Sequence, residues 1–224
     1  MFLNFIIGGE KTMALLSETV KNKIKPIFQS LTMPVTLKVF TQEIECPSCK
    51  DNTSLMQEIA EVAPDKLKVE VLNFVLNKDQ AEKLKVDKIP ATAILGEKDY
   101  GIRFYGVPAG YEFTSLINAI KLVGTKQSGL KQSTIEELKK INKEINIKVF
   151  VTLTCPYCPM AVETAHKFAF ESNFITAEMI NAQEFPHLAN KFGVYAVPKV
   201  VINEKVSFEG ALPEEMFLEY IKNL

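Results

Sequence analysis

The hydrophobic and polar positions of the chain form short apolar runs separated by amphipathic stretches. Runs rich in β-branched residues predict strands at 35–41 and 147–153, and helical spacing follows each run to about residue 62 and about residue 171. Strands that alternate with helices and end in a hairpin predict a three-layer α/β/α domain with a mixed central sheet. The other predicted elements, for the first half and then the second, are an initial helix at 15–30 and 133–145, a second strand at 67–75 and 174–180, a short helix at 78–85 and 182–191, hairpin strands at 91–96 with 100–105 and 199–203 with 205–209, and a last helix at 111–123 and 213–223.

The second half of the chain repeats the first. Pro90 and Pro198 occupy equivalent positions at an offset of 198 − 90 = 108, and residues 38–40 and 148–150 share the sequence Lys-Val-Phe. Self-similarity at this spacing indicates a duplicated domain rather than a short-period solenoid. The predicted division is an N-terminal extension at 1–14, in which Met13 is an alternative start, a first α/β unit at 15–124, a polar, glycine-flanked linker at 124–129, and a second α/β unit at 130–224.

Composition restricts the classes of function. The 224 residues are 47% hydrophobic, which is enough for two ordinary domains with real cores. A formal net charge of −1 argues against nucleic acid or an anionic membrane as a partner. No run of about 18 apolar residues predicts a membrane span, and the first residues lack the basic region of a signal peptide. We therefore expect a cytoplasmic protein, and its Lys and Glu content is a weak indication of a thermophilic origin.

All four cysteines belong to two Cys-x-x-Cys pairs, one in each half. Cys46 and Cys49 form the first pair and Cys155 and Cys158 the second, so no cysteine is left over for a structural bridge. Each pair follows a predicted strand and opens a predicted helix, where unpaired N–H groups and the positive end of the helix dipole stabilise a thiolate. We predict that the first cysteine of each pair is an exposed nucleophile and that the second resolves the mixed disulfide.

Residues beside the cysteines are candidates for supporting roles. Pro47 and Pro156 follow the two nucleophiles and suit the first position of a helix. Glu45 precedes Cys46, where its negative charge opposes thiolate formation, and Lys50, just after Cys49, is placed to offset that charge. Glu45 is instead a candidate proton acceptor during resolution, with a solvated loop acid as the alternative. We therefore expect the thiol of Cys155 to have the lower pKa of the two nucleophiles.

An apolar residue followed by proline recurs after each pair. Ile89-Pro90 and Val197-Pro198 lie 90 − 46 = 44 and 198 − 155 = 43 residues after the nucleophiles. A cis X-Pro bond is accessible at about 0.5–1 kcal/mol. It would leave a backbone edge beside the sulfur, free to pair with an extended substrate segment. The alternative is an ordinary proline at the start of a strand.

These motifs together resemble a known family. Two Cys-x-x-Cys centres, the second reading Cys-Pro-Tyr-Cys-Pro, each followed by Ile-Pro or Val-Pro, are similar to the tandem thioredoxin-fold protein disulfide oxidoreductases of thermophilic prokaryotes, also called glutaredoxin-like proteins. Residues 105–113, 165–168, 196–199 and 208–211 add to the resemblance, which covers nearly everything from about residue 15 onwards. It implies two thioredoxin folds that share a continuous sheet.

The resemblance also implies a function in cell redox homeostasis. The expected activity is reduction, oxidation and isomerisation of disulfides in protein substrates, through redox-active disulfides and without a bound cofactor or metal. Electrons are expected from an NADPH-dependent flavoprotein such as a thioredoxin reductase, and a homodimer is left open. By motif match, Pro90 and Pro198 take the cis-proline role. The first centre departs from the pattern, since Cys-Pro-Ser-Cys lacks the aromatic residue that Tyr157 supplies in the second.

Three alternatives compete with this interpretation. A Cys₄ zinc site is formally satisfied by two pairs, but structural sites usually space their pairs by about 15–20 residues. A redox-silent module that binds extended peptides is the second. The third is the relay module of peroxiredoxin reductases, which resembles this architecture but typically keeps one active dithiol. His166 and His187, the only histidines, are expected to be surface or packing residues.

Overall fold

Each half of the chain contributes four helices and four strands to the computed structural model, which describes residues 14–224. The first half contains α1 (Glu18–Gln29), β1 (Val35–Thr41), α2 (Cys49–Glu61), β2 (Leu67–Asn73), α3 (Lys78–Lys83), β3 (Ala91–Leu95), β4 (Asp99–Tyr105) and α4 (Glu112–Thr125). The second half contains α5 (Gln132–Lys139), β5 (Ile145–Val151), α6 (Cys158–Glu171), β6 (Ile175–Asn181), α7 (Pro186–Lys191), β7 (Lys199–Ile202), β8 (Val206–Glu209) and α8 (Glu214–Lys222).

All eight strands form one continuous sheet in the order β2-β1-β3-β4-β6-β5-β7-β8. Within the first half, β1 is parallel to β2 and antiparallel to β3, and β3 is antiparallel to β4. The second half repeats this arrangement with β5, β6, β7 and β8. The mixed α/β architecture and the shared sheet expected from the sequence are therefore confirmed.

The two halves join where β4 pairs in parallel with β6, from Ile102 opposite Ala177 to Tyr105 opposite Ile180. Gly101 allows this close approach, because its φ is +76° and a Cβ there would lie 2.4 Å from the carbonyl oxygen of Ile175. Parallel pairing brings the carboxyl ends of β4 and β6 to the same edge of the sheet. Loops from both halves therefore meet at that edge.

Alternating apolar residues of the central strands form the core. Leu37 and Val39 on β1, and Ile147 and Val149 on β5, are fully buried. They pack in one apolar cluster with α2 and α6, the helices that begin at the second cysteine of each pair. The core thus fixes both the strand that precedes each cysteine pair and the helix that follows it.

The structure corrects several predicted boundaries. The first helix of the second half, α5, ends at Lys139 rather than 145, because β5 already pairs with β6 from Ile145 onwards. Helix α7 begins at Pro186 rather than 182, since a turn after β6 occupies the intervening residues. Part of the predicted linker at 124–129 is helical, because α4 continues to Thr125.

The division into units at 15–124 and 130–224 stays a prediction, since the sheet crosses the boundary between them. The predicted extension at 1–14 lies outside the described residues apart from Ala14. No helix in the described part of the chain has the length and apolar character needed to cross a membrane.

Candidate redox centres

Both Cys-x-x-Cys pairs form disulfides between the end of a strand and the start of a helix. The Cα atoms are 5.4 Å apart in Cys46–Cys49 and 5.5 Å apart in Cys155–Cys158. The second cysteine is the first residue of α2 in one half and of α6 in the other. Each pair thus places one sulfur in the loop and one at the first position of the helix.

The prolines between the cysteines do not occupy the helical position that we predicted. Cys49 and Cys158 take that position, with Ser48 and Tyr157 as the N-cap residues. Pro47 and Pro156 each directly precede an N-cap residue, so they lie outside the helices, and both are exposed.

In the second centre, a helix-start N–H group points at the leading sulfur. The backbone N–H of Cys158 donates to Sγ of Cys155, with the nitrogen and sulfur 3.1 Å apart. A backbone donor at this distance stabilises negative charge on that sulfur once the disulfide is reduced. The carbonyl oxygen of Val197 lies 3.8 Å from the same sulfur, on the segment before Pro198.

The two X-Pro segments have the same geometry in both halves. The Ile89-Pro90 and Val197-Pro198 bonds are cis. Gly106 donates its N–H to the carbonyl of Pro90 at 3.0 Å, and Gly210 donates to that of Pro198 at 2.8 Å. Both prolines are buried, whereas Ile89 and Val197 are partly exposed.

Comparisons with known proteins agree with this geometry. The thioredoxin domain family matches residues 145–222. The crystal structure of a protein disulfide oxidoreductase from Aeropyrum pernix K1 superposes with a TM-score of 0.87 and 34% sequence identity, over 92% of each chain. The chain belongs to the protein disulfide oxidoreductase family.

Two further proteins resemble the chain over most of its length. The NTD_N/C domain of alkylhydroperoxide reductase AhpF from Enterococcus faecalis superposes with a TM-score of 0.85 at 26% identity, covering 91% of this chain and 98% of that one. An NADH dehydrogenase of Bacillus subtilis is 27% identical over 206 residues, which are 91% of this chain and 37% of the relative. The chain thus spans little more than a third of the length of that curated relative.

Burial of the cysteines differs from our prediction at one of the two centres. Cys46 is partly exposed, but only 8% of Cys155 is accessible, so the prediction of an exposed leading cysteine is wrong for the second centre. Cys155 belongs to the main apolar cluster, and Val197 packs against that cluster. The resolving cysteines, Cys49 and Cys158, are buried as well.

The exposed side chains near the two disulfides differ in type. Large side chains exposed in the second half include Tyr157 at 68%, Met160 at 60% and Tyr195 at 96%, and the first two lie in or beside the Cys-Pro-Tyr-Cys loop. In the first half Ile44, two residues before Cys46, is 76% exposed, and an open groove beside Cys46 is lined by Thr41, Gln42, Glu43, Lys50, Thr53, Ser54, Gln57 and Asn73, with Val71. Glu45 is exposed in the loop next to this groove, and its proposed part in proton transfer stays a prediction.

Sequence reasoning missed a buried acid next to the second centre. Glu112, in the first turn of α4, is fully buried and accepts a hydrogen bond from Ser115 Oγ at 2.6 Å, and burial raises the pKa of its carboxyl to about 7. The adjacent Tyr111 donates its N–H to the carbonyl of Leu153, two residues before Cys155, at 3.0 Å. An acid between two aromatic residues at a helix start was the available signal.

The first centre contains a second group that the sequence did not indicate. Ser48, between Cys46 and Cys49, donates its hydroxyl to the carboxylate of Glu184, which lies in the second half. Neither histidine takes part in a centre. His166 packs edge-on against Phe104, and its burial lowers the pKa of the imidazole to about 3. His187 is exposed.

The cysteine geometry leaves the zinc alternative without support. A Cys₄ site needs four thiolates around one ion, whereas the sulfurs here are paired in two disulfides, one in each half. Within residues 14–224, no three His, Cys, Asp or Glu side chains are arranged as a metal site.

Proposed function

We propose that both centres exchange disulfides with protein substrates, with Cys46 and Cys155 as nucleophiles and Cys49 and Cys158 as resolving residues. The observation that carries this proposal is the N–H group of Cys158 directed at Cys155 Sγ, 3.1 Å away. It would stabilise a thiolate on the cysteine that attacks, at the first turn of α6. A purely structural disulfide has no need of such a donor.

The exchange proceeds in two steps. The Cys155 thiolate attacks one sulfur of a substrate disulfide, forms a mixed disulfide, and releases the other substrate sulfur as a thiolate. The Cys158 thiolate then attacks Cys155 Sγ, re-forms the internal disulfide, and releases the second substrate sulfur. Two electrons pass from the enzyme dithiol to the substrate disulfide, and the same steps in reverse oxidise a substrate dithiol. If a different substrate thiolate attacks the substrate sulfur of the mixed disulfide before Cys158 attacks Cys155, a new substrate disulfide forms and Cys155 leaves as a thiolate. The substrate is then isomerised with no net transfer of electrons.

Ile89, Pro90, Val197 and Pro198 are proposed to hold the substrate backbone. The Val197 carbonyl lies beside Cys155 Sγ, where an extended peptide bound to this edge would bring its own sulfur into line. The exposed Tyr157 would add apolar contact area for an unfolded or flexible segment. This arrangement favours protein disulfides over small ones.

Electrons are proposed to come from a separate NADPH-dependent flavoprotein of the thioredoxin reductase kind. The Bacillus subtilis relative supports this proposal, because it is named for NADH oxidation and has further chain beyond the region shared here. We also place the protein in the cytoplasm, where dithiols stay reduced and disulfides are transient. A homodimer stays a prediction that light scattering would test.

Reduction of insulin disulfides by dithiothreitol tests the proposal. The wild type, a Cys46→Ser/Cys49→Ser variant and a Cys155→Ser/Cys158→Ser variant would be compared with a variant that lacks all four cysteines. We expect each two-cysteine variant to retain part of the acceleration and the four-serine variant to retain none. Acceleration by the four-serine protein would overturn the proposal.

A further inference from the structure

A carboxylate from the second half reaches into the first redox centre. One oxygen of Glu184 accepts the hydroxyl of Ser48, the residue directly before Cys49. The other oxygen accepts the N–H of Val107 at 2.8 Å and the Nδ2–H of Asn181 at 2.8 Å. The side chain is therefore held by three donors, two of which belong to the first half.

The position of Glu184 follows from the way the halves join. The parallel pairing of β4 with β6 places Tyr105 opposite Ile180, so the turn after β6 lies against the segment after β4. Asn181 is buried and fixes the turn twice, since its carbonyl accepts the N–H of Glu184 at 3.1 Å while its side chain donates to the carboxylate. Contacts other than that with Ser48 thus hold the carboxylate in place.

A glycine leaves the space that this carboxylate fills. Gly106 has a φ of +91°, and a Cβ at that position would lie 2.6 Å from Oε1 of Glu184 and 2.8 Å from Cβ of Asn181. The N–H of the same glycine donates to the carbonyl of Pro90. Glu184 therefore contacts the Cys-Pro-Ser-Cys loop on one side. On the other side it packs against Gly106, which donates a hydrogen bond to the cis-proline segment.

We propose that Glu184 is a positioning residue of the first centre, which fixes Ser48 and places a negative charge beside the dithiol so that this centre favours its disulfide form. The physical reason is that a nearby negative charge opposes thiolate formation. The reduced state loses stability relative to the disulfide, and the reduction potential falls. This inference rests on the proposed exchange function of the first centre.

The second centre has no equivalent of this contact among the described hydrogen bonds. The residue before Cys158 is Tyr157, which lies 68% exposed, and its hydroxyl makes no protein hydrogen bond. A change at Glu184 should therefore shift the redox equilibrium of Cys46–Cys49 and leave that of Cys155–Cys158 unchanged. One molecule thus carries both the test site and an internal reference.

The decisive experiment measures the reduced fraction of each pair in the full-length protein. Wild type and Glu184→Gln would be equilibrated in a series of dithiothreitol or glutathione buffers, alkylated, and assigned to each pair by peptide mass. We expect Glu184→Gln to shift the equilibrium of the first pair toward the dithiol by about three- to tenfold. The second pair should stay within about twofold of the wild type.

Two further variants separate charge from structure. Glu184→Asp keeps the negative charge and should stay nearer to the wild type than Glu184→Gln does. Glu219→Gln removes an exposed carboxylate of the second half, on α8, and should shift neither pair. The pH dependence of the alkylation rate of reduced Cys46 gives a second readout. The pKa of the Cys46 thiol should be lower in Glu184→Gln than in the wild type.

An unchanged first pair in Glu184→Gln would overturn the inference, as would equal shifts of both pairs, which would indicate a general structural effect. A first pair that exchanges with no buffer in the wild type would overturn the proposed function at that centre, and this inference with it.

Discussion

The two redox centres share a backbone frame and differ in what surrounds it. Each has a disulfide at the start of a helix, a cis-proline segment, and a glycine whose N–H donates a hydrogen bond to the carbonyl of that proline. At the first centre the residue before the second cysteine is Ser48, tied to Glu184, whereas at the second it is Tyr157, exposed to solvent. Duplication has kept the cysteine and cis-proline geometry and has changed the side chain before the second cysteine together with its contacts.

The largest expected effect concerns which centre carries more of the activity. The second has the N–H donor directed at its leading sulfur and the exposed tyrosine. We therefore expect Cys155→Ser to lower insulin reduction by roughly tenfold, and Cys46→Ser to lower it by a smaller factor. Rates measured at saturating dithiothreitol test this order, and a larger loss in Cys46→Ser would reverse the comparison.

The helices that end the two halves offer a second contrast. Each begins with an acid, but Glu214 on α8 accepts bonds from the Lys131 N–H at 3.0 Å and from Thr134 Oγ1 at 2.9 Å, whereas Glu112 on α4 is buried with one oxygen unpaired. Burial raises the pKa of Glu112 from 4.5 to about 7, so the folded state binds a proton that the unfolded state releases. The contribution of Glu112 to the free energy of unfolding therefore falls as pH rises from about 4.5 to about 7 and does not change further above that range.

Glu112→Gln should abolish this loss. The variant stays neutral at every pH, so its advantage over the wild type should grow through the same pH window, to the order of 3 kcal/mol. Urea unfolding at pH 5, 6, 7 and 8 measures it, with Glu61→Gln, an exposed acid at the end of α2, as the control. A difference between Glu112→Gln and wild type that does not change with pH would contradict the assignment.

Gly106 and Gly210 form a matched pair that tests the packing of Glu184 and Asn181 beside the first centre. Both donate to a proline carbonyl and have nearly equal φ, +91° and +88°. Alanine at either position should lower the free energy of unfolding by about 1–2 kcal/mol, because a Cβ is disfavoured at a positive φ. Only at Gly106 would the added Cβ meet Glu184 and the Cβ of Asn181, since nothing lies within 4 Å at Gly210.

We therefore expect Gly106→Ala to destabilise the fold by about 1 kcal/mol more than Gly210→Ala, because at least one hydrogen bond of Glu184 is lost. Denaturant unfolding of both variants gives the difference directly. Equal losses would show that Glu184 moves aside at no cost, and the first centre would then be no more constrained than the second.

Local sequence signals predicted the frame of both centres and not their differences. Strand runs, helical spacing and the repeat at 108 residues located each cysteine pair between β1 and α2 or between β5 and α6, because these signals depend on neighbours in the chain. The contact of Ser48 with Glu184 joins residues 136 positions apart, and it exists only because β4 pairs with β6. Nothing in either local sequence specifies that pairing.

The buried state of particular side chains was equally hard to foresee. Glu112 is buried because α4 packs against α6 of the other half, and Cys155 because Val197 and the apolar cluster cover it. Each depends on how elements distant in sequence pack together. The sequence shows that a cysteine is present at a helix start, whereas its accessibility is a property of the assembled sheet and helices.

The smallest expected effect concerns substrate contact at the second centre. Tyr157→Ser gives this centre the Cys-Pro-Ser-Cys sequence of the first, without a counterpart of Glu184, and removes an exposed aromatic ring. We expect kcat/KM for insulin to fall by about two- to fivefold, which corresponds to the contact area of one aromatic side chain at an exposed site. Turnover of a small aromatic disulfide should change less, because such a substrate has no extended chain to lie across the ring.

The variant is best measured in the Cys46→Ser/Cys49→Ser background, so that only the second centre turns over. Phe174→Ser is the control for loss of another exposed aromatic ring in the same half, because Phe174 directly precedes β6, away from the centre. Equal losses for insulin and for the small substrate would instead place Tyr157 in the chemistry of the sulfur, and the difference between the two centres would then lie in reactivity rather than in substrate contact.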